Sequence, residues 1–198
     1  MDNYFKKYIE SKLCLTKMIN QIFVSYISLG DANKYNLDVS NSDIRFGSDL
    51  EVCSHHFSSD GMLAWNYLNI DKYYISQKEL SDLKEKISNE EYDSNIDYYN
   101  EYLKIAILII DLTLKNYSRK MSLEEALKNK IKFNPDLDEL DRRVDVCYYL
   151  FESKEQNIWC LFGLEDSIIG RSVFENIRKE LVKELLNNKS KVKELIKK

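Results

Sequence analysis

One proline, Pro135, and five glycines are the only strong backbone breakers in 198 residues. Proline removes a donor and clashes inside a helix, and glycine carries an entropic penalty there. A chain nearly free of both can run long helices and has no flexible Pro/Gly-rich linker. With 44% hydrophobic residues it also has the apolar mass for a core. These features predict one globular domain over residues 1–188, followed by a lysine-rich tail, 189–198, that frays.

Periodicity fills in the elements. Phe5, Tyr8, Ile9, Leu15, Met18, Ile19, Ile22, Phe23 and Tyr26 recur at three- and four-residue spacing and predict a helix over 3–29. Residues 36–43 are rich in Asn, Asp and Ser, as loops are. The runs Leu50–Phe57 and Met62–Leu68 flank Ser58-Ser59-Asp60-Gly61, and Asp-Gly is a hairpin-turn signal. Four Ser-x-x-Glu matches, at Ser76, Ser88, Ser122 and Ser172, have capping-box spacing. They predict helices near 77–87, 90–117, 123–131 and 173–187. For 136–152 a helix is favoured over a hairpin, and 157–162 stays open between strand and other forms. No internal repeat is evident. The expected fold is mainly α (α+β): a helical bundle with a small β-hairpin insertion around residues 44–68.

Chemistry near neutral pH has one obvious place to gather. The two histidines are neighbours in Cys53-Ser54-His55-His56. Thiolate and imidazole are preferred zinc ligands, and a Cys–His pair can also make a nucleophile. Successive strand residues face opposite ways, so Cys53 and His55 would share a face while His56 points away. Further ligands would have to come from Cys147 or Cys160. On a helix, Asp138/Arg142 would be an ion pair, and Asp141/Asp145 would place two carboxylates on one face beside Arg143. Glycine-rich phosphate loops, GxSxG and HExxH are absent from the sequence. No metal site and no cofactor are expected.

Charge is unevenly spread. Residues 60–101 hold ten Asp/Glu against four Lys, and 171–198 hold nine Lys/Arg against four Glu. A net charge of −4 disfavours nonspecific binding to phosphate backbones, so nucleic acid is not an expected partner. The most apolar stretch, Ile105–Ile110, is far short of the ~20 residues of a membrane span. The four cysteines form no CxxC and the N-terminus has no secretory pattern, so the expected compartment is the cytoplasm. Tyrosines mixed with acids mark the 90–102 stretch, and tyrosine is enriched in binding hot spots. The expected function is therefore a non-enzymatic protein-binding inhibitor or neutraliser, of the toxin-immunity or phage counter-defence type. Its expected contact residues are Glu90, Glu91, Tyr92, Asp97 and Tyr98, and its expected partner is a protein with a basic surface. The alternative is a metal-dependent or cysteine-based hydrolase centred on Cys53, His55 and His56.

Overall fold

The computed structural model describes residues 3–40, 43–44, 49–55, 58–149 and 158–196, with side chains described as far as 188. Helices and two small antiparallel sheets make a mixed α+β fold. The chain divides into two compact units, Met1–Ile105 and Ala106–Lys198.

In the first unit, α1 (Asn3–Ile22) buries Phe5, Tyr8, Leu15, Met18 and Ile19 along one stripe. The helix stops seven residues before the expected end at 29. Val24-Ser25-Tyr26-Ile27-Ser28 is β-prone and forms β1 (Val24–Ser28). Ser28 then caps α2 (Leu29–Lys34) by accepting from the Asp31 N–H. The central strand β2 (Asp49–Ser54) pairs antiparallel with β1, placing Val24 opposite Cys53. After β2 come α3 (Ser59–Tyr67), β3 (Tyr74–Ser76) on the other edge of β2, and α4 (Gln77–Ser88).

The expected hairpin is half realised: the Met62–Leu68 run lies in and just after α3, not in a strand. Ser58 caps that helix by accepting from the Gly61 N–H. Gly61 is needed for close approach, not for a turn. A Cβ there would lie 2.7 Å from both the His55 carbonyl oxygen and the Ser58 Oγ. Buried Ala64, Trp65 and Leu68 then follow helical spacing.

α5 (Tyr98–Asn116) spans the division between the units. The second unit continues with β4 (Ser118–Ser122), α6 (Leu123–Lys128), α7 (Pro135–Asp138), β5 (Glu139–Leu140) and β6 (Arg143–Tyr148). A 3-10 turn over Ile158–Phe162, β7 (Ile168–Gly170) and α8 (Arg171–Ile196) complete it. β6 is central and pairs antiparallel with β4, β5 and β7.

The helix expected over 136–152 gives way to a hairpin after α7, and residues 150–152 lie outside the described set. Leu140 pairs with Arg143, so Asp141 and Arg142 are the two turn residues, with φ of 51° and 60°. Positive φ at both positions suits the right-handed twist of a tight hairpin. Neither residue is glycine, so the turn signal is faint. Of the four serine matches, Ser76 forms a full capping box and Ser122 accepts from the Glu125 N–H. Ser88 ends α4 and donates to the Lys84 carbonyl, while Ser172 lies inside the first turn of α8. The helix expected from residue 90 starts at Tyr98, and α8 runs through much of the stretch expected to fray.

The strand pairing and core pattern recur at a spacing of 94 residues, where no internal repeat is expected from the sequence. Val24, Cys53 and Ser76 recur as Ser118, Cys147 and Gly170, each 94 positions on, in the same pairing register. The core cluster of Ala32, Leu37, Leu50 and Val52, with Ile27, Val39 and Tyr74 against it, recurs position for position. Its counterpart is Ala126, Ile131, Val144 and Val146 with Met121, Phe133 and Ile168. Trp65 and Trp159 are both buried at matching places. Asn36 and Lys130 share a left-handed conformation, as do Asn69 and Gly163. Even a buried carboxylate recurs. Asp43 accepts from the Lys78 N–H, and Asp138 from the Ser172 N–H, each at the second residue of α4 and α8 respectively.

Candidate functional site

Cys53 is fully buried in β2, with its thiol facing the Asn20 side-chain oxygen at 3.7 Å. Burial pushes that thiol up to about 12, so it holds its proton at neutral pH. His55 is half-buried just beyond the strand, edge-on to Tyr73 at 4.7 Å and to Trp65 at 5.7 Å. His56 lies outside the described residues. Cys147 is buried and also raised, chiefly by burial, while Cys160 is exposed in the second unit. Among the described residues no three His, Cys, Asp or Glu side chains gather as a metal would require.

The Asp138–Asp145 cluster is dispersed by the hairpin. Asp138 is buried and accepts from the Ser172 N–H and hydroxyl, each at 2.7 Å, and from the Asn134 N–H at 2.8 Å. It ties α7 to the start of α8. Asp141 and Arg142 are the turn, and Asp145 sits opposite Lys120 in the sheet. The helical i, i+4 faces expected of these residues do not form.

The acidic, tyrosine-rich stretch behaves differently. Residues 89–97 connect α4 to α5 without regular structure, yet the connection is tied down at several points. Glu90 accepts from the Lys12 ammonium at 2.7 Å and from the Tyr8 hydroxyl at 3.2 Å. The Asp93 N–H donates to the Tyr98 hydroxyl at 2.8 Å, and the Asp93 carboxylate accepts from the Asn95 backbone and side chain. The Ile96 N–H donates to the Asp93 carbonyl at 3.1 Å. Asp97 accepts from the Asn100 N–H at 3.1 Å, the bond of a helix-capping side chain at the start of α5.

Beneath the connection lies an aromatic base. Tyr98 is 2% exposed, and its ring meets Phe5 at 4.9 Å, Tyr8 at 5.2 Å and Tyr92 at 5.2 Å. Phe5 also meets Tyr92 edge-on at 5.6 Å. The Tyr8 hydroxyl is raised, first by burial and then by the Glu90 carboxylate. Above this base Tyr92 is 53% exposed and Ile96 38%, among exposed Glu91, Asp93 and Asp97. No Lys or Arg occurs between Lys86 and Lys104.

The five expected contact residues therefore separate into two groups. Glu91, Tyr92 and Asp97 face solvent. Glu90 and Tyr98 face inward and hold the connection in place. Tyr8, Lys12, Asp93 and Ile96 belong to the same arrangement and were not singled out. Lys12 had a readable signal: it interrupts the stripe Tyr8–Leu15–Ile19 of α1, and a charge on a buried stripe requires a partner. No helix among the described residues is long and apolar enough to cross a membrane. No family model, curated protein sequence or solved structure matches this chain.

Proposed function

We propose that this chain is a non-enzymatic, cytosolic protein-binding inhibitor or neutraliser, of the toxin-immunity or counter-defence kind. It docks a partner with a basic surface through the 90–98 connection. The observation that carries this reading is the pairing of exposure with restraint. Tyr92 and Ile96 present apolar surface, yet rings below and hydrogen bonds on both sides hold them. A preordered aromatic anchor loses little freedom on binding, which is how a short patch gains affinity. The ring of carboxylates adds steering and selects against acidic partners. Buried, protonated Cys53 gives the cysteine-nucleophile alternative no comparable support.

The test is titration of the purified partner, once isolated from the native host, against three forms of the chain. Truncating a hot-spot tyrosine costs about 2 kcal/mol or more, so Tyr92→Ala should weaken binding by at least about thirtyfold. Glu91→Lys should slow association and flatten its salt dependence. Wild-type affinity in both variants would refute docking through this face.

A further inference from the structure

We infer that Lys12 is a positioning residue that latches the 90–98 connection onto α1; this rests on the docking role proposed for that connection. The Lys12 side chain is only 4% exposed, and its ammonium bonds the Glu90 carboxylate at 2.7 Å and the Tyr8 hydroxyl at 3.1 Å. Tyr8 donates to the other Glu90 oxygen at 3.2 Å, closing a three-membered polar ring. The ammonium also lies 4.9 Å from the centre of the Tyr8 ring. Glu90 is the second residue of the connection. Its far end is bound through Tyr98, whose ring packs on the same Tyr8 at 5.2 Å. One tyrosine therefore carries both anchors.

The copy 94 residues on builds the same strand register without this charge. Ninety-four residues on from Lys12 stands Ala106, fully buried, and the second sheet keeps the same register without it. Tyr8 recurs as Tyr102. Glu90 recurs as Glu184, inside α8, where the helix continues and there is no connection to hold. The Lys–Glu ion pair thus occurs in the copy where the helix ends at Ser88 and the chain must turn. Burying an ammonium is unfavourable unless a specific geometry repays it. The geometry it fixes here is the presentation of Tyr92 and Ile96.

Amide hydrogen exchange of the full-length free protein tests the latch, comparing wild type with Lys12→Met and Glu90→Gln. Methionine fills the same space without charge, and Glu90→Gln removes the ion pair from the more exposed side. Opening of the connection should speed exchange of the Asp93, Asn95 and Ile96 amides by about tenfold or more while β2 amides keep their protection. Unchanged protection of those three amides in both variants would overturn the inference. So would loss of protection that is uniform across the first unit, because that marks a general structural role. This readout needs no partner, so its failure is separable from a failure of Tyr92→Ala to weaken docking.

Discussion

Replacing Gly170 by alanine puts a methyl group where the second unit has no room. The added Cβ would lie 2.7 Å from the Phe133 Cα and 2.8 Å from its Cβ, and would press on the Asp138 carboxylate. Neither neighbour yields easily. The Phe133 Cα and Cβ move only with the backbone, and the Gly170 N–H donates to the neighbouring Lys132 carbonyl at 2.6 Å. Asp138 is buried and holds Asn134 and Ser172 through three hydrogen bonds. Overpacking costs about 1–3 kcal/mol. Disturbing hydrogen bonds to a charged group adds about 1.5–3 kcal/mol. The expected loss is therefore about 2.5–6 kcal/mol, localised to the second unit. Each unit has one buried tryptophan, Trp65 or Trp159, so fluorescence can report on them separately. Denaturant titration of Gly170→Ala in a Trp65→Phe background should move the Trp159 transition to lower concentration, by that free energy divided by the slope of the transition. The matching position in the first unit, Ser76, already has a Cβ; Ser76→Ala should cost only about 1 kcal/mol, the value of a helix cap. A Gly170→Ala loss below about 1 kcal/mol would refute this account of the packing.

Burial raises the Cys53 thiol from 9.0 to about 12 and also raises Tyr8 and Tyr117. Above pH 9 the unfolded chain releases protons that the native state retains, so stability should fall as pH rises from 9 through the raised values. Denaturation midpoints at pH 7.5 and 10.5 check this, and equal midpoints would contradict it. At pH 8 iodoacetamide should label exposed Cys160 first and leave Cys53 and Cys147 unmodified until the chain unfolds, as peptide mass spectrometry would show. Gly61→Ala should displace His55, whose carbonyl lies 2.7 Å from the new Cβ. The His55 ring protons should then shift in NMR spectra as the ring moves against Trp65 and Tyr73; unchanged shifts would mean that α3 adjusts instead.

The long helices were legible because their apolar spacing recurs over several turns, as in Phe5, Tyr8, Leu15 and Ile19. The strands were less so. β1 continues the apolar spacing of α1 closely enough to look like more helix. The β5–β6 turn uses Asp141 and Arg142 in a conformation that glycine usually marks. The repeat was hidden because a core position constrains size and polarity more than identity. Leu50 serves where Val144 does, and Tyr74 where Ile168 does. At the candidate site the local charge and tyrosine content were plain from composition. The inward turn of Glu90 was not, since its cation Lys12 stands 78 residues earlier in the chain.

Duplication also sets the chain a folding problem. β2 and β6 carry the same Val-Cys pair at matching places, Val52-Cys53 and Val146-Cys147, so β1 could be offered the wrong central strand. Chain connectivity discriminates between them. Closing the loop from Ser28 to Asp49 is favoured over closing from Ser28 to Arg143 by about 1.5 kcal/mol of loop entropy. That advantage exists only within a molecule. In a concentrated refolding mixture a neighbour's β2 or β6 competes with the chain's own, and strand-exchanged dimers become the characteristic wrong product.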